Sequence, residues 1–175
     1  MNTLIDMIFS GTNLAILGAA LSAILAGMGS AKGVSIVGEA TSGLLTEDPS
    51  KFGKALILEA LPGTQGIYGL IVSFMILIKT GIMGGDAVNL TTSQGAYFLM
   101  AALPIAIVGL YSGIKQGKVA ASGISLVAKR PDEVGKAITS AALVETYAIF
   151  AVLVSLLSDE RFSVDNGFRA DCEGG

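Results

Sequence analysis

Four long stretches of the chain consist of apolar and small residues with almost no charge. Residues 7–31, 60–78 and 87–114 contain no Asp, Glu, Lys or Arg, and residues 137–158 contain a single charged residue, Glu145. About 20 apolar residues are needed for a helix to cross the hydrocarbon of a bilayer. Since backbone polar groups cannot remain unpaired in lipid, each stretch predicts a transmembrane helix. We therefore predict an all-α membrane protein with four transmembrane helices.

Two tight polar turns and one looser link connect these helices. The turns are TEDPSK (46–51) and KRPDE (129–133), and each has a proline near its centre. The link, residues 80–94, is rich in Gly, Thr, Ser and Asn. This pattern predicts two tandem helical hairpins, residues 1–79 and residues 95–158, joined by the link.

Most basic residues of the hairpins lie around the two tight turns. Cytoplasmic segments next to membrane helices carry an excess of Lys and Arg. This bias places the turns (46–52 and 129–133) in the cytoplasm, and both termini and the link outside. The N-terminal segment has no Lys or Arg and so lacks the basic region of a cleavable signal peptide. The basic residues concerned are Lys51, Lys54, Lys129, Arg130 and Lys136, against Lys79 alone beside the link.

The second half of the chain repeats the first with a shift of 82 residues. Such a repeat is typical of two parallel copies of a helical hairpin. Glu145 falls on Gly63, so only the second half keeps a carboxylate within the membrane. The matches include Pro49 with Pro131, Gly53-Lys54-Ala55 with Gly135-Lys136-Ala137, Thr64 with Thr146 and, across a two-residue gap, Gly29 with Gly113.

Small residues recur at every fourth position of the first and third helices. Rows of this kind let membrane helices approach each other closely. They predict either close contact inside one chain or an inner ring of first and third helices, with the second and fourth helices outside. The rows are Gly18, Ser22, Ala26 and Ser30, then Ala19, Ala23, Gly27 and Ala31, and on the third helix Gly109, Gly113 and Gly117.

The composition removes several classes of function. The 175 residues are 52% hydrophobic and 14% charged, with a net charge of −3, no His and one Cys. High hydrophobicity excludes a disordered protein, and the lone Cys172 excludes a disulfide framework. These counts also remove most routes to zinc, haem or iron–sulfur chemistry, and without a basic arm nucleic acid is not expected as a partner. GIKQGK (113–118) lacks the spacing of a phosphate loop, so we expect no bound nucleotide or cofactor.

Glu145 places a carboxylate inside a predicted transmembrane helix. Such a charge costs about 2.5–3.5 kcal/mol on insertion scales, which marks the residue as functional. Because the helices of a hairpin share one rise per residue, equal separations from the turn mean equal depth. Four oxygen-bearing side chains are thereby predicted at one level. Counted from the turn prolines, Pro49 or Pro131, the separations are 15 residues for Thr64, 16 for Gln65, 15 for Gln116 and 14 for Glu145.

The second helix presents a polar stripe at this level. Leu61, Thr64, Gln65 and Tyr68 recur at helical spacing and share one face. Pro62 has no N–H and disturbs the turn around it, which frees backbone oxygens near the stripe. Carboxylate, amide, hydroxyl and carbonyl oxygens suit a hard cation. A proton would need only the carboxylate, so the additional oxygens favour Na⁺, and Tyr68 is placed to donate a hydrogen bond to the carboxylate.

Three segments carry a resemblance to a known family. LPGTQGIYG (61–69), GIKQGKVAA (113–121) and LVETYAIF (143–150) resemble the proteolipid, or K/c, subunit of V-type rotary ATPases, in the four-helix form of its bacterial sodium-translocating branch. The resemblance covers about residues 10–158, including the doubled hairpin and one acid per four helices. It implies a homo-oligomeric rotor ring turned by ATP hydrolysis in a separate soluble sector, so this chain itself performs no catalysis.

The resemblance also implies the site and the partners. The ion ligands for Na⁺ would be the Leu61 carbonyl, Thr64, Gln65, Gln116 and Glu145, with Tyr68 bonded to Glu145. Partners would be identical subunits, a membrane stator subunit with a cationic residue, central-stalk subunits and the lipid bilayer, in the plasma membrane of a bacterium. The chain departs from the family at Lys115, beside Gln116, and in a polar tail, residues 159–175, expected to be disordered or foreign to the natural chain.

Other readings stay open on the residues alone. The same rotor could carry H⁺, or Glu145 could be the coupling site of a small ion-coupled secondary transporter. A structural pore or membrane-fusion ring is a third option, although it would not need Gln65 and Gln116. Lys32, Lys115 and Lys118 lie close to the depth of Gln116, and we expect them to extend toward the interface or to face a wet or lipid-poor lumen.

Overall fold

A computed structural model describes residues 9–85 and 88–160 of the chain. The predicted extracellular N-terminus and nearly all of the predicted tail, including Cys172, lie outside the described residues. All four membrane-length segments are helical, and no strand occurs within the described ranges. The first span is α1 (Gly11–Glu47), the second is α2 (Phe52–Ala60) followed by α3 (Thr64–Lys79), the third is α4 (Thr92–Lys129), and the fourth is α5 (Val134–Glu160). The prediction of four transmembrane helices is confirmed.

The ends of the helices follow from capping residues. Ser10 accepts a hydrogen bond from the backbone N–H of Asn13 and begins α1. Thr91 and Gln94 form a reciprocal capping box that begins α4 at Thr92. Such a box satisfies two of the N–H groups that a helix start leaves unpaired. The third span therefore begins three residues before the end of the predicted link, residues 80–94.

The two tight turns are single turns of 3-10 helix at Pro49–Lys51 and Pro131–Glu133. Proline suits this position because its fixed φ angle is already helical and its missing N–H is not needed at a helix start. Two lysines of the first turn region bind the backbone of the second: Lys51 Nζ donates to the Ala128 carbonyl at 2.8 Å, and Lys54 Nζ donates to the Pro131 carbonyl at 3.0 Å. The two hairpins are thus joined at the end where their turns lie.

The first and third spans form the most extensive contact between helices. Their glycines face each other's backbones: a methyl group on Gly113 would lie 2.7 Å from the carbonyl carbon of Gly29, and one on Gly117 would lie 2.5 Å from the Cα of Gly33. The small-residue rows therefore act within one chain, as the first of the two predicted arrangements. Part of the second row stays open, because Gly27 has no neighbour within 4 Å of an added methyl and Ala31 is exposed.

Two apolar clusters lie one above the other along the spans. They are separated along the helices by a layer with buried polar side chains, which contains Gln65 and Gln116. Apolar residues on both sides lower the local dielectric, so polar contacts in this layer are strong and unpaired polar groups are costly. One cluster is Ala15, Ala19, Val72, Ile76, Leu90, Phe98, Ala102, Ile105, Ala151 and Val152; the other is Val37, Leu44, Ala55, Leu58, Ala120, Ile124, Val127, Ala137 and Ala141.

Many large apolar side chains remain exposed on the outer faces of the helices. Examples are Ile67 and Phe74 on the second span, and Phe150 and Leu157 on the fourth. Contiguous apolar surface of this extent marks a membrane or a partner interface. It agrees with four spans surrounded by lipid and by other apolar helices.

Candidate ion-binding site

The second span is interrupted at the level of the predicted site. Helix α2 ends at Ala60, a turn of 3-10 helix occupies Leu61–Gly63, and α3 begins at Thr64. Pro62 causes the interruption because it cannot donate an N–H to the preceding turn. The Leu61 carbonyl accepts hydrogen bonds from the backbone N–H and, at 3.1 Å, from the hydroxyl of Thr64. The break therefore places a carbonyl and a hydroxyl oxygen side by side.

Two fully buried glutamines connect the second span to the fourth. Gln65 Nε2 donates a hydrogen bond to Gln116 Oε1 of the third span. Gln116 Nε2 then donates to Oε2 of Glu145 at 3.4 Å, while the Tyr68 hydroxyl donates to Oε1 at 2.7 Å. Both oxygens of the Glu145 carboxylate are thus held by groups from other spans.

One oxygen of this row has no partner among the described residues. Gln65 Oε1 is buried, and no donor of the described chain reaches it. Buried carbonyl oxygens without a hydrogen bond are uncommon, since desolvation of such an acceptor costs about 1–3 kcal/mol. An open acceptor beside a carboxylate is chemically suited to a bound cation.

The structure brings together the side chains that equal depth predicts. Gln65, Gln116 and Glu145 form one connected row, and Tyr68 closes it on the fourth span. Thr64 lies on the same turn and is bonded to the Leu61 carbonyl rather than to the carboxylate. These contacts link donor atoms from three spans and from both halves of the repeat.

The sequence did not single out one polar residue beside this row for the site. Ser30 of the first span lies against the interrupted turn: its hydroxyl donates to the Gly63 carbonyl at 3.2 Å and accepts from the Gly66 N–H at 2.7 Å. In the sequence Ser30 belongs to a row of small residues, which conceals its hydroxyl among packing positions. Its only signal was that its row faces the second half of the chain.

Three lysines near this depth lie on the surface of the single chain. Lys32 on α1, and Lys115 and Lys118 on α4, are all exposed. Lys115 lines a groove of about 400 Å³ between the third and fourth spans, together with Tyr111 and Tyr147. This position agrees with the expectation that the ammonium groups extend away from the packed interior.

The fold and the buried row define an integral membrane protein of two tandem helical hairpins with a carboxylate held among neutral oxygen donors. The family model for the C-type subunit of ATP synthase matches the chain twice, over residues 17–76 and 99–158. The second match begins 82 residues after the first, which is the shift found in the sequence. The internal repeat is thereby confirmed.

Two curated relatives match most of the chain. The V-type sodium ATPase subunit K of Enterococcus hirae is 50% identical over 147 residues, which are 84% of this chain and 90% of the relative. The A-type ATP synthase subunit K of Methanocaldococcus jannaschii is 40% identical over 140 residues, which are 80% of this chain and 59% of the relative. The chain belongs to this ATP synthase C-type family, as the resemblance of its motifs indicated.

Proposed function

We propose that the chain is a rotor-ring (K/c) subunit of a V-type ATPase membrane sector that carries Na⁺ across the membrane on Glu145. ATP hydrolysis in other subunits turns the ring, and this chain performs no catalysis. The observation that carries the proposal is the buried row in which Gln65 and Gln116 connect to Glu145 and Gln65 Oε1 keeps an open acceptor. The sodium ATPase subunit K of E. hirae, at 50% identity, supports both the rotor role and the ion.

The choice of Na⁺ follows from the number of oxygens. The proposed ligands are the Leu61 carbonyl, the Thr64 hydroxyl, the amide oxygens of Gln65 and Gln116, and the Glu145 carboxylate. Carboxylate, carbonyl and amide oxygens suit hard cations. One carboxylate neutralises one monovalent ion, and the neutral oxygens replace its hydration shell. Tyr68, which holds Glu145 Oε1, keeps the carboxylate turned toward these oxygens.

The charge of Glu145 couples ion exchange to rotation. An ion-free carboxylate facing lipid carries a large free-energy cost, so a ring subunit faces lipid only when it is neutralised. Opposite a cationic residue of the stator subunit, the carboxylate is stabilised without its ion, and the ion is released. Entry and exit paths at different positions around the ring turn this exchange into transport. Each ion moved against 100 mV stores about 2.3 kcal/mol.

The proposal also assigns the orientation and the partners. The turns at 46–52 and 129–133 would face the cytoplasm of a bacterium and the central stalk, with the described link outside. Lys51 and Lys54 support a common docking surface there, since their ammonium groups join the two turns. Identical subunits and the lipid bilayer would surround the remaining faces.

Carbodiimide modification of the detergent-purified protein tests the ion. Dicyclohexylcarbodiimide reacts with a protonated, ion-free carboxyl group, so we expect Na⁺ to protect Glu145 near neutral pH. Protection that responds only to rising pH, with Na⁺ without effect, would assign the rotor to H⁺. The mass of the purified assembly tests the rotor role, because a secondary transporter would be a monomer or dimer and not a large closed ring.

Replacement of the carboxylate tests the carrier residue. Glu145→Gln is expected to abolish ²²Na⁺ transport by the reconstituted ATPase while the ring assembles with unchanged mass. Glu39→Gln is the matched control, because Glu39 is an exposed carboxylate of α1 that accepts only from the nearby Ser35 hydroxyl among the described contacts. A Glu145→Gln variant that transports Na⁺ would contradict the proposal.

A further inference from the structure

Ser30 is a single side chain of the first span that bonds to both sides of the break in the second span. Its hydroxyl donates to the Gly63 carbonyl, the last residue of the 3-10 turn, at 3.2 Å. It also accepts from the N–H of Gly66, in the first turn of α3, at 2.7 Å. A single hydroxyl therefore fixes the turn and the start of the following helix relative to each other.

The start of α3 needs this bond because it has no cap of its own. The first N–H groups of a helix have no partner inside the helix and are usually satisfied by a Ser, Thr, Asp or Asn at the preceding position. Here that position is Gly63, and no side chain of the second span caps the helix. Ser30 supplies the missing acceptor from another span.

The first span is also shaped to receive the break. Pro62 is buried, and a methyl group on Gly33 would lie 2.7 Å from its Cβ, so only a glycine leaves room for the proline ring. Gly66 lies directly against Ser30: a methyl group there would be 3.3 Å from the hydroxyl oxygen. The proline and the N–H of Gly66 thus sit on adjacent turns of α1.

The second half of the chain lacks this device. The gap that aligns Gly29 with Gly113 places Ile114 at the position of Ser30, and the 82-residue shift places Val144 at the position of Pro62. Helix α5 runs unbroken through this level and carries Glu145 there. One half of the repeat contributes the carboxylate, whereas the other contributes an interrupted helix with a hydroxyl clamp.

We infer that Ser30 is a positioning residue for the ion site. It holds the interrupted turn in the conformation that keeps the Leu61 carbonyl and the Thr64 hydroxyl together and presents Gln65 to Gln116. Without the clamp, the turn gains other conformations, and ordering it again reduces ion affinity. Ser30 itself is not a ligand. This inference rests on the proposed function, in which those oxygens bind Na⁺.

The test measures the Na⁺ concentration that half-protects Glu145 from dicyclohexylcarbodiimide in the purified full-length ring. Loss of a helix-capping hydroxyl weakens the ordered state enough to shift an equilibrium about five-fold, so Ser30→Ala is expected to raise the half-protecting concentration by about that factor. The pH profile of the modification without Na⁺ is expected to stay unchanged, because Tyr68 and Gln116 still hold the carboxylate. A purely structural defect would not separate these two readouts.

Ser22→Ala is the matched control. Ser22 is fully buried on the same span, two turns from Ser30, and its hydroxyl bonds only within its own helix, to the Ala19 carbonyl at 2.8 Å. Its half-protecting Na⁺ concentration is expected to stay within about two-fold of the unmodified ring. An equal shift in Ser22→Ala and Ser30→Ala would overturn the inference, as would an unchanged value in Ser30→Ala.

A second pair of variants covers the case in which Ser30→Ala does not assemble. Ser30→Thr and Ser30→Val have nearly the same shape and differ in the hydroxyl. We expect Thr to retain the Na⁺ affinity and Val to lose it, and equal values for the two would overturn the inference. Absence of Na⁺ protection in the unmodified ring would instead overturn the proposed function, and the inference with it.

Discussion

The Tyr68 hydroxyl of the second span donates a hydrogen bond of 2.7 Å to Oε1 of Glu145 on the fourth span. The two residues are 77 positions apart and come from different halves of the repeat. Hydrogen bonds to charged groups contribute about 1.5–3 kcal/mol, more than neutral ones. This bond closes the row of side chains and holds the carboxylate toward the interior.

Removal of this hydroxyl is expected to weaken retention of the ion. Tyr68→Phe keeps the ring and loses the bond, so we expect the half-protecting Na⁺ concentration in the carbodiimide assay to rise about ten-fold. Tyr147→Phe is the control, because Tyr147 lies two residues from Glu145 but is 65% exposed. Equal behaviour of the two variants would show that the Tyr68 hydroxyl does not hold the site.

The two buried glutamines are expected to act as one unit. Gln65→Leu and Gln116→Leu each leave a polar partner unpaired, whereas the double variant removes both groups. Because the residues share a hydrogen bond, the effects on Na⁺ protection should be non-additive, with a coupling free energy of about 0.5–3 kcal/mol. The four half-protecting concentrations give this value directly. Additive effects would mean that the two amides bind independently.

The contact between the first and third spans is expected to tolerate no added methyl group. Gly113→Ala places a Cβ 2.7 Å from the carbonyl carbon of Gly29, and backbone atoms there cannot move aside as a flexible side chain would. Overpacking of this kind costs about 1–3 kcal/mol. Thermal unfolding of the detergent-purified protein, or its yield of assembled ring, measures the loss.

Gly43→Ala provides the opposite case for the same measurement. Gly43 lies in α1 with no neighbour within 4 Å of an added methyl, and alanine is the better helix former by about 1 kcal/mol. We therefore expect unchanged or slightly higher thermal stability. A Gly113→Ala variant as stable as Gly43→Ala would contradict the packing described for the two spans.

The first turn is expected to weaken in acid. The side-chain hydrogen bond from Ser50, with the nearby Lys51 ammonium, holds the pKa of the Asp48 carboxyl below its ordinary value. A lowered pKa in the folded state contributes stability that is present above the ordinary pKa and lost as the pH falls through the lowered one. Hydrogen exchange at the Ser50 amide, which donates to Asp48 at 3.1 Å, should accelerate in that range. Asp48→Asn should remove this pH dependence.

The depth of the site could be predicted from the sequence because helices rise uniformly from a turn. Gln65, Gln116 and Glu145 have nearly equal separations from the turn prolines, and the structure joins them in one row. The same reasoning placed Thr64 at this level but did not show its local bond to Leu61. Whether a hydroxyl bonds within its own turn or across to another span depends on rotamers, which spacing does not specify.

Ser30 shows where pattern reading ended. A small residue at a four-residue repeat is chosen for its size, so the sequence assigned Ser30 to a packing row with Gly18, Ser22 and Ala26. The structure separates these residues: Ser22 bonds inside its own helix, whereas Ser30 bonds to two backbone groups of the second span. The distinction exists only because Pro62 interrupts that span opposite Ser30.

The sequence by itself determined the four spans, the doubled hairpin and the single intramembrane carboxylate, because charge, length and repeat act along one chain and need no partner. The tertiary structure alone decided which polar atoms meet: Tyr68 with Glu145, Gln65 with Gln116, and Ser30 with the interrupted turn. Those contacts depend on how helices rotate and approach each other. Glycines such as Gly29 and Gly113 set that approach by letting the two backbones touch.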